Sequence, residues 1–250
     1  MSKIPSPRLA PQLNIEYPRD RAGVIKVAHD WYDSSLVAVN TAGIKALPAG
    51  EVVPPPSGET SLEINKTVDL TDAARFAIAM GSINHMFWSH DENGEFVRYQ
   101  NDGLVGALAM SSAFEKAWST PDSPIQRALV DKIPLTVNTV TEVFGAIPDP
   151  EGRVKILNEI LLSDKIWEFG EEAQFIYEEG KGFDVGLAAR LADAFPAGYA
   201  DGVLKKAQLA TSAIWRSAVG RGYDGEPCSL TAFADYQIPN VLRALGILDY

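Results

Sequence analysis

Three short stretches of this chain combine residue types suited to chemistry on a small polar molecule. In Phe233-Ala234-Asp235-Tyr236 a carboxylate stands between two aromatic rings. Partial burial among rings tunes an acid's basicity, and such a group can stabilise positive charge developing on a sugar and steer a water toward it. The same aspartate also precedes a proline-led apolar run, where it can equally belong to the N-cap region of a last helix. In INHMFWSH, residues 83–90, Phe87 and Trp88 offer flat faces to a heterocycle and Asn84 offers amide hydrogen bonds to its edge. The plain alternative is a set of core aromatics at a helix end. In DGVLKKAQ, residues 201–208, Asp201 can cap a helix and Lys205-Lys206 can be solvated. Alternatively, a lysine pair beside the free N–H groups of a helix start can hold one phosphate.

Other chemistries lack their signatures. No glycine-rich phosphate loop follows a strand, and no H-E-x-x-H occurs. The histidines are His29, His85 and His90, and the last two, five residues apart, share no helix face, so no metal site is expected. The lone Cys228 excludes an internal disulfide and fits a reducing, cytoplasmic setting. The net charge is −11, and the 22 basic residues are scattered with no run longer than Lys205-Lys206. A nucleic-acid backbone needs several phosphates neutralised, so a long polyanion is an unsuitable partner whereas one small anion is not. No apolar stretch is long enough to read as a membrane span.

Helices must position these residues. TDAARFAIAMGSINHMFW has Thr71 or Asp69 as N-cap, with Phe76, Met80 and Ile83 on one face. EFVRYQN, residues 95–101, is the best strand. GLVGALAMSSAFEKAW reads as a helix stopped by STPDSP, and TVNTVTEVFG as another. EGRVKILNEILLSDKIWEFGEEAQFIYEEG continues the helical pattern to a glycine C-cap at Gly180 or Gly182. VGLAARLADAF precedes Pro196. The stretch 201–222 places Leu204, Ala207, Thr211, Ile214 and Trp215 on one stripe, and Pro239 suits the first turn of a final helix through Leu242 and Leu245 to Gly246. The prolines of residues 46–60 exclude helix and central strand. The fold class expected is all-α, with a small β element near 95–101. A single multi-helix domain spans 66–250, and an N-terminal segment, 1–65, carries the Pro-rich loop against it.

Against this reading the sequence resembles the queuosine salvage family, the queuosine 5′-phosphate N-ribosylhydrolases. LTAFADYQIPNVLRALGILDY is similar to the family's FADYR-V/L-PQ-x-L-x-x-LG-x-L-x-Y signature almost without gaps. KKAQLATSAIW resembles its KRAQ-x-x-x-x-DxW segment, INHMFW its LN-x-x-FW segment, and PDPEGRVKILNEI its GR-x-x-x-L-x-E helix. The resemblance runs over roughly residues 68–250, and it implies a helical fold similar to the helix-rich DNA glycosylases.

It also implies cleavage of the bond between ribose and a 7-deazaguanine base, releasing queuine for reuse in tRNA. A deazapurine has carbon in place of N7, so protonation there cannot help the base leave, and stabilising the sugar cation falls to a carboxylate. By resemblance Asp235 takes that role, while Phe233 and Tyr236 shape the pocket. Asn84, His85, Phe87 and Trp88 line the base site, with Lys205 near the 5′-phosphate and Asp201 among the substrate-binding residues. The partners implied are a small nucleotide or nucleoside and free queuine, with no cofactor, nucleic acid or membrane. The chain departs from the family at FPAGYAD, where an arginine is missing, and at Ser212, where relatives carry the aspartate of DxW. Those changes leave open a non-catalytic deazapurine-binding protein. Relatives continue past the L-x-Y element on which this chain ends, so it reads as a C-terminally short member.

Overall fold

Small residues run through the helix on which the molecule is built. Leu70–Ser82, LTDAARFAIAMGS, is buried along almost its whole length, from Leu70 to Ser82. Asp69 is its N-cap, with a carboxylate that accepts from the Asp72 N–H at 2.7 Å. Alanines at 73, 74, 77 and 79 let neighbouring helices approach closely, and two glycines mark close contacts. A Cβ on Gly81 would meet the Tyr199 hydroxyl at 3.2 Å and Ala210 Cβ at 3.3 Å, and one on Gly170 would meet the Thr71 carbonyl oxygen at 3.0 Å.

The computed structural model describes residues 18–30, 37–45, 67–226, 228–231 and 237–249. Its helices begin with α1 (Arg21–Asp30), α2 (Thr41–Lys45), α3 (Leu70–Ser82), α4 (Ala107–Ser119), α5 (Pro124–Val130) and α6 (Val137–Phe144). They continue with α7 (Pro150–Leu161), α8 (Lys165–Glu178), α9 (Val185–Ala194), α10 (Pro196–Tyr199), α11 (Lys205–Gly220) and α12 (Gln237–Ala244). The strands are β1 (Ala38–Val39), β2 (Trp88–His90), β3 (Phe96–Arg98), β4 (Gln100–Asn101), β5 (Leu104–Val105) and β6 (Leu248–Asp249). They pair only as antiparallel couples, β1 with β6, β2 with β3 and β4 with β5. The protein is thus mainly helical, as its periodicity predicts. Helix α3 lies between α8 and α11, and α9 packs on the far side of α11. Phe76 carries the core outward to Phe114 and Trp118 of α4, with ring centroids 5.6 and 5.7 Å away.

Several boundaries differ from those expected. The helix that reads through Trp88 stops at Ser82, with a turn at Ile83 as C-cap, and residues 84–87 lead without regular structure into β2. Residues 95–101 hold β3 and β4, but Leu104-Val105, read as helical, form β5 instead. The helical run 151–180 is two helices, because α7 ends at the Leu162 cap and α8 restarts at Asp164. Its end is a Schellman motif: Gly180, at φ +65, directs its N–H to Tyr177 O while the Lys181 N–H reaches Ile176 O. The stop signal STPDSP also starts α5, for Ser123 is its N-cap and Pro124 its first residue. The Pro-rich stretch 46–60, the boundary at 65, and Phe233, Asp235 and Tyr236 lie outside the described residues.

Candidate functional site

The turn Ser82–Met86 is where the INHM segment, the KKAQ segment and the GR-x-x-x-L-x-E segment meet. After α3 ends, the Asn84 N–H bonds to Gly81 O at 3.2 Å and the His85 N–H to Ile83 O at 2.9 Å. Met86 follows at φ +48, a left-handed conformation uncommon for a residue with a side chain. So tight a turn aims several carbonyls inward, and each needs a donor.

Arg153, in the first turn of α7, supplies most of them. Its side chain is fully buried, 0% exposed. Nη1 donates to Ile83 O, and Nη2 donates to His85 O at 2.6 Å and Met86 O at 3.2 Å. Nε donates to Pro148 O at 2.9 Å, and the guanidinium lies 5.7 Å from the centre of the Phe87 ring. Burial draws its pKa down to about 10, so it stays charged at neutral pH. A planar fork of donors can span four carbonyls on two segments, which a single ammonium cannot. Lys206 adds a second cation from α11, with Nζ donating to Ser82 O at 3.1 Å. Burial, above all, lowers its pKa to about 8.

His85 sits among these charges. Its Nε2 is 3.8 Å from Asp149 Oδ2, and its Nδ1 is buried with no hydrogen-bond partner among the described residues. Burial first, then the nearby Lys206 and Arg153, push its pKa down to about 4, so the imidazole is neutral at pH 7. Asp149 itself caps α7 at φ +55, accepting from the Gly152 N–H at 3.2 Å.

The base-platform residues do not act alike. Phe87 is partly buried and stacks with Tyr99, centroids 6.5 Å apart at 25°. The Tyr99 hydroxyl is in turn fixed to Phe144 O at 2.7 Å. Trp88 is 48% exposed, on the β2–β3 hairpin beneath Arg98. The two rings therefore occupy different settings and form no single flat surface. Asn84 is partly exposed at the turn.

Asp201 takes its local reading. Its carboxylate accepts from the N–H groups of Val203, Lys205 and Lys206 at 3.2, 2.8 and 3.4 Å. The helix-start amides expected to be free for a phosphate beside the lysine pair are therefore occupied, and by a negative group. Of the pair, Lys206 points to the turn, a distinction that the dipeptide alone does not make. Ser212 is partly exposed on α11, and Trp215 packs against the core.

Sequence reasoning also passed over three anchors. Gln208 is buried: its Nε2 donates to Val203 O at 2.9 Å, and its Oε1 accepts from the Thr231 N–H at 2.8 Å and hydroxyl at 3.0 Å. It thereby holds the residue directly before the stretch 232–236. Glu159 accepts from the Ala197 N–H at 2.9 Å, and burial raises its pKa. Arg153 and Glu159, one helix face apart on α7, thus hold the turn 82–86 on one side and α10 on the other. Their signal was present as the Arg and Glu of EGRVKILNE, and that of Gln208 in KKAQ. A separate cleft of about 640 Å³, lined by Asn101, Lys116, Arg127 and Glu142 among others, includes none of these groups.

Comparison with known proteins agrees with the segments. The family described as queuosine salvage protein matches residues 64–250. The chain is 26% identical over 273 residues to the queuosine 5′-phosphate N-glycosylase/hydrolase of Mus musculus, covering 98% of this chain and 74% of that one. It is 26% identical over 265 residues to the protein of the same description from Sphaerobacter thermophilus, covering 93% and 75%.

Proposed function

Because this chain belongs to the queuosine salvage protein family, we propose that it hydrolyses an N-glycosidic bond, releasing queuine or a related 7-deazaguanine base from queuosine 5′-phosphate or its nucleoside. The activity named for both relatives supports that substrate class. The observation that carries the reading to this chain is the junction at Ser82–Met86. There Arg153 of the GR-x-x-x-L-x-E segment grips carbonyls of the INHM segment, and Lys206 of the KKAQ segment grips that of Ser82 directly before it. Three stretches far apart in sequence are one structural unit.

In the reaction the bond between the base nitrogen and ribose C1′ breaks, a water oxygen bonds to C1′, and one water proton is balanced by protonation of the departing base. Asp235 is assigned to stabilise the sugar cation and orient the water, with Phe233 and Tyr236 around it. Asn84, His85, Phe87 and Trp88 are assigned to the base. Neutral His85 suits hydrogen bonding to a base edge, because one ring nitrogen accepts while the other donates. Lys205 is assigned to the 5′-phosphate, with the inward Lys206 adding positive potential. Asp201 serves by fixing the start of the helix that bears both lysines.

Incubation with queuosine 5′-phosphate, followed by mass spectrometry of free queuine, tests the reading. Wild type releases the base, and Asp235→Asn loses most of that activity, by about 100-fold or more. No release by wild type, or undiminished release by the variant, would sink it. Ser212, in place of the family aspartate, favours one second reading, a deazapurine-binding protein without turnover. Calorimetry showing tight queuine binding, with no nucleoside cleaved, would select that alternative.

A further inference from the structure

We propose that Arg153 is the positioning residue of the base site, holding the Ser82–Phe87 turn in its binding conformation before any ligand arrives. The inference rests on the function proposed above for its ligand, but not for its geometry. Four features converge on it. The guanidinium is wholly buried, yet among the described residues its hydrogen bonds go to main-chain oxygens alone, those of Pro148, Ile83, His85 and Met86. Those oxygens lie on two chain segments, so one side chain ties the turn after α3 to the entry of α7. It also underlies the Phe87 ring. Finally, Met86, a residue that does not favour left-handed backbone, is held at φ +48 within the clamp, its carbonyl bonded by Arg153. Such conformations persist where surrounding contacts over-determine them, and here the contacts are the arginine's.

An arginine that served stability alone would need only to satisfy buried acceptors somewhere. This one satisfies those of a turn that carries three of the residues assigned to the base, Asn84, His85 and Phe87. Replacing it with lysine keeps a positive charge but removes the fork, because one ammonium cannot reach oxygens spread across two segments.

The test compares Arg153→Lys with Leu157→Ala, a fully buried neighbour one turn along α7 that leaves the turn's hydrogen bonds in place. Hydrogen exchange of the free proteins is read first, at the Asn84 and His85 amides, whose acceptors are Gly81 O and Ile83 O. In Arg153→Lys these amides exchange about tenfold faster or more while α8 and α9 keep their protection, and in Leu157→Ala they do not change apart from the rest. Calorimetry with queuine follows: Kd rises about tenfold or more in Arg153→Lys and stays near wild type in Leu157→Ala. In assays of queuosine 5′-phosphate the loss falls mainly on KM. Uniform loss of protection in both variants, or an unchanged Kd in Arg153→Lys, would overturn the assignment and leave Arg153 a core residue.

Should Arg153→Lys fail to fold, wild type alone still decides. Its Asn84 and His85 amides are already protected without ligand and change less than about twofold when queuine binds; ordering of the turn only on binding contradicts the proposal. If wild type neither binds queuine nor releases it from queuosine 5′-phosphate, the proposed function fails. The exchange comparison of free proteins still reads the clamp.

Discussion

At the scale of single residues the site is governed by which polar atoms the fold dries out. His85 lies between Lys206, Arg153 and Asp149, where burial holds it neutral. Its pKa of about 4 lies below the ordinary value of 6.5, so between pH 4 and 6.5 the unfolded chain binds the extra proton and the folded one does not. Stability therefore rises with pH through that window and levels off above it. Replacement by a non-titrating amide, His85→Gln, should flatten this rise. Thermal unfolding of both proteins at pH 4.5 and 7 checks it, and an equal pH dependence in the two would show that His85 does not carry the effect. Lys206, depressed to about 8, runs the same way at higher pH: its buried charge is a cost that is relieved as pH climbs from 8 toward 10.5.

At the scale of elements, helices act here through the side chains that leave them. Helix α11 contributes a core stripe, with Ala207, Thr211 and Ile214 buried, and its first turn sends Lys206 to the end of α3 and Gln208 to Thr231. Replacing the Gln208 amide with an apolar group of similar size strands the Val203 carbonyl and the Thr231 N–H. Gln208→Leu should therefore cost about 1–3 kcal/mol of stability. Because Thr231 leads directly into the stretch bearing Asp235, the same variant should lower kcat more than KM. Chemical denaturation and steady-state kinetics measure the two effects, and a larger change in KM than in kcat would contradict the second. Helix α10 shows how closely such elements fit, since a Cβ on Gly198 would stand 2.9 Å from that of Ser82. This helix belongs to the FPAGYAD segment, residues 195–201. Its residues are spoken for locally, Gly198 by contact and Tyr199 by a buried hydroxyl bonded to Ile78 O.

At the scale of the whole molecule, one apolar core links the site to the rest of the fold, from α3 through Phe76 to α4 and Phe114 to Phe144 of α6. Phe76→Ala should cost about 3–5 kcal/mol in one cooperative transition, because α3 is shared by the helices on both sides. Two separate transitions by circular dichroism would show instead that those helices unfold independently. The helical class, a few of the helix ends and the family segments were legible in the order of residues, because 3.6-residue periodicity, Asp69 and Gly180 act within a few positions of themselves. So was the likeness of INHMFW, KKAQ and FADY to a family of base-releasing enzymes. What the sequence could not decide was where α3 stops, which lysine of the pair turns inward, whether Phe87 and Trp88 face one ligand surface, and that Arg153 closes the turn. Those depend on oxygens and rings brought together from positions 67–70 residues apart in the chain, as in the bonds from Arg153 to Ile83, His85 and Met86. Local pattern encodes the elements, whereas the partner of a buried charge exists only once the chain has packed.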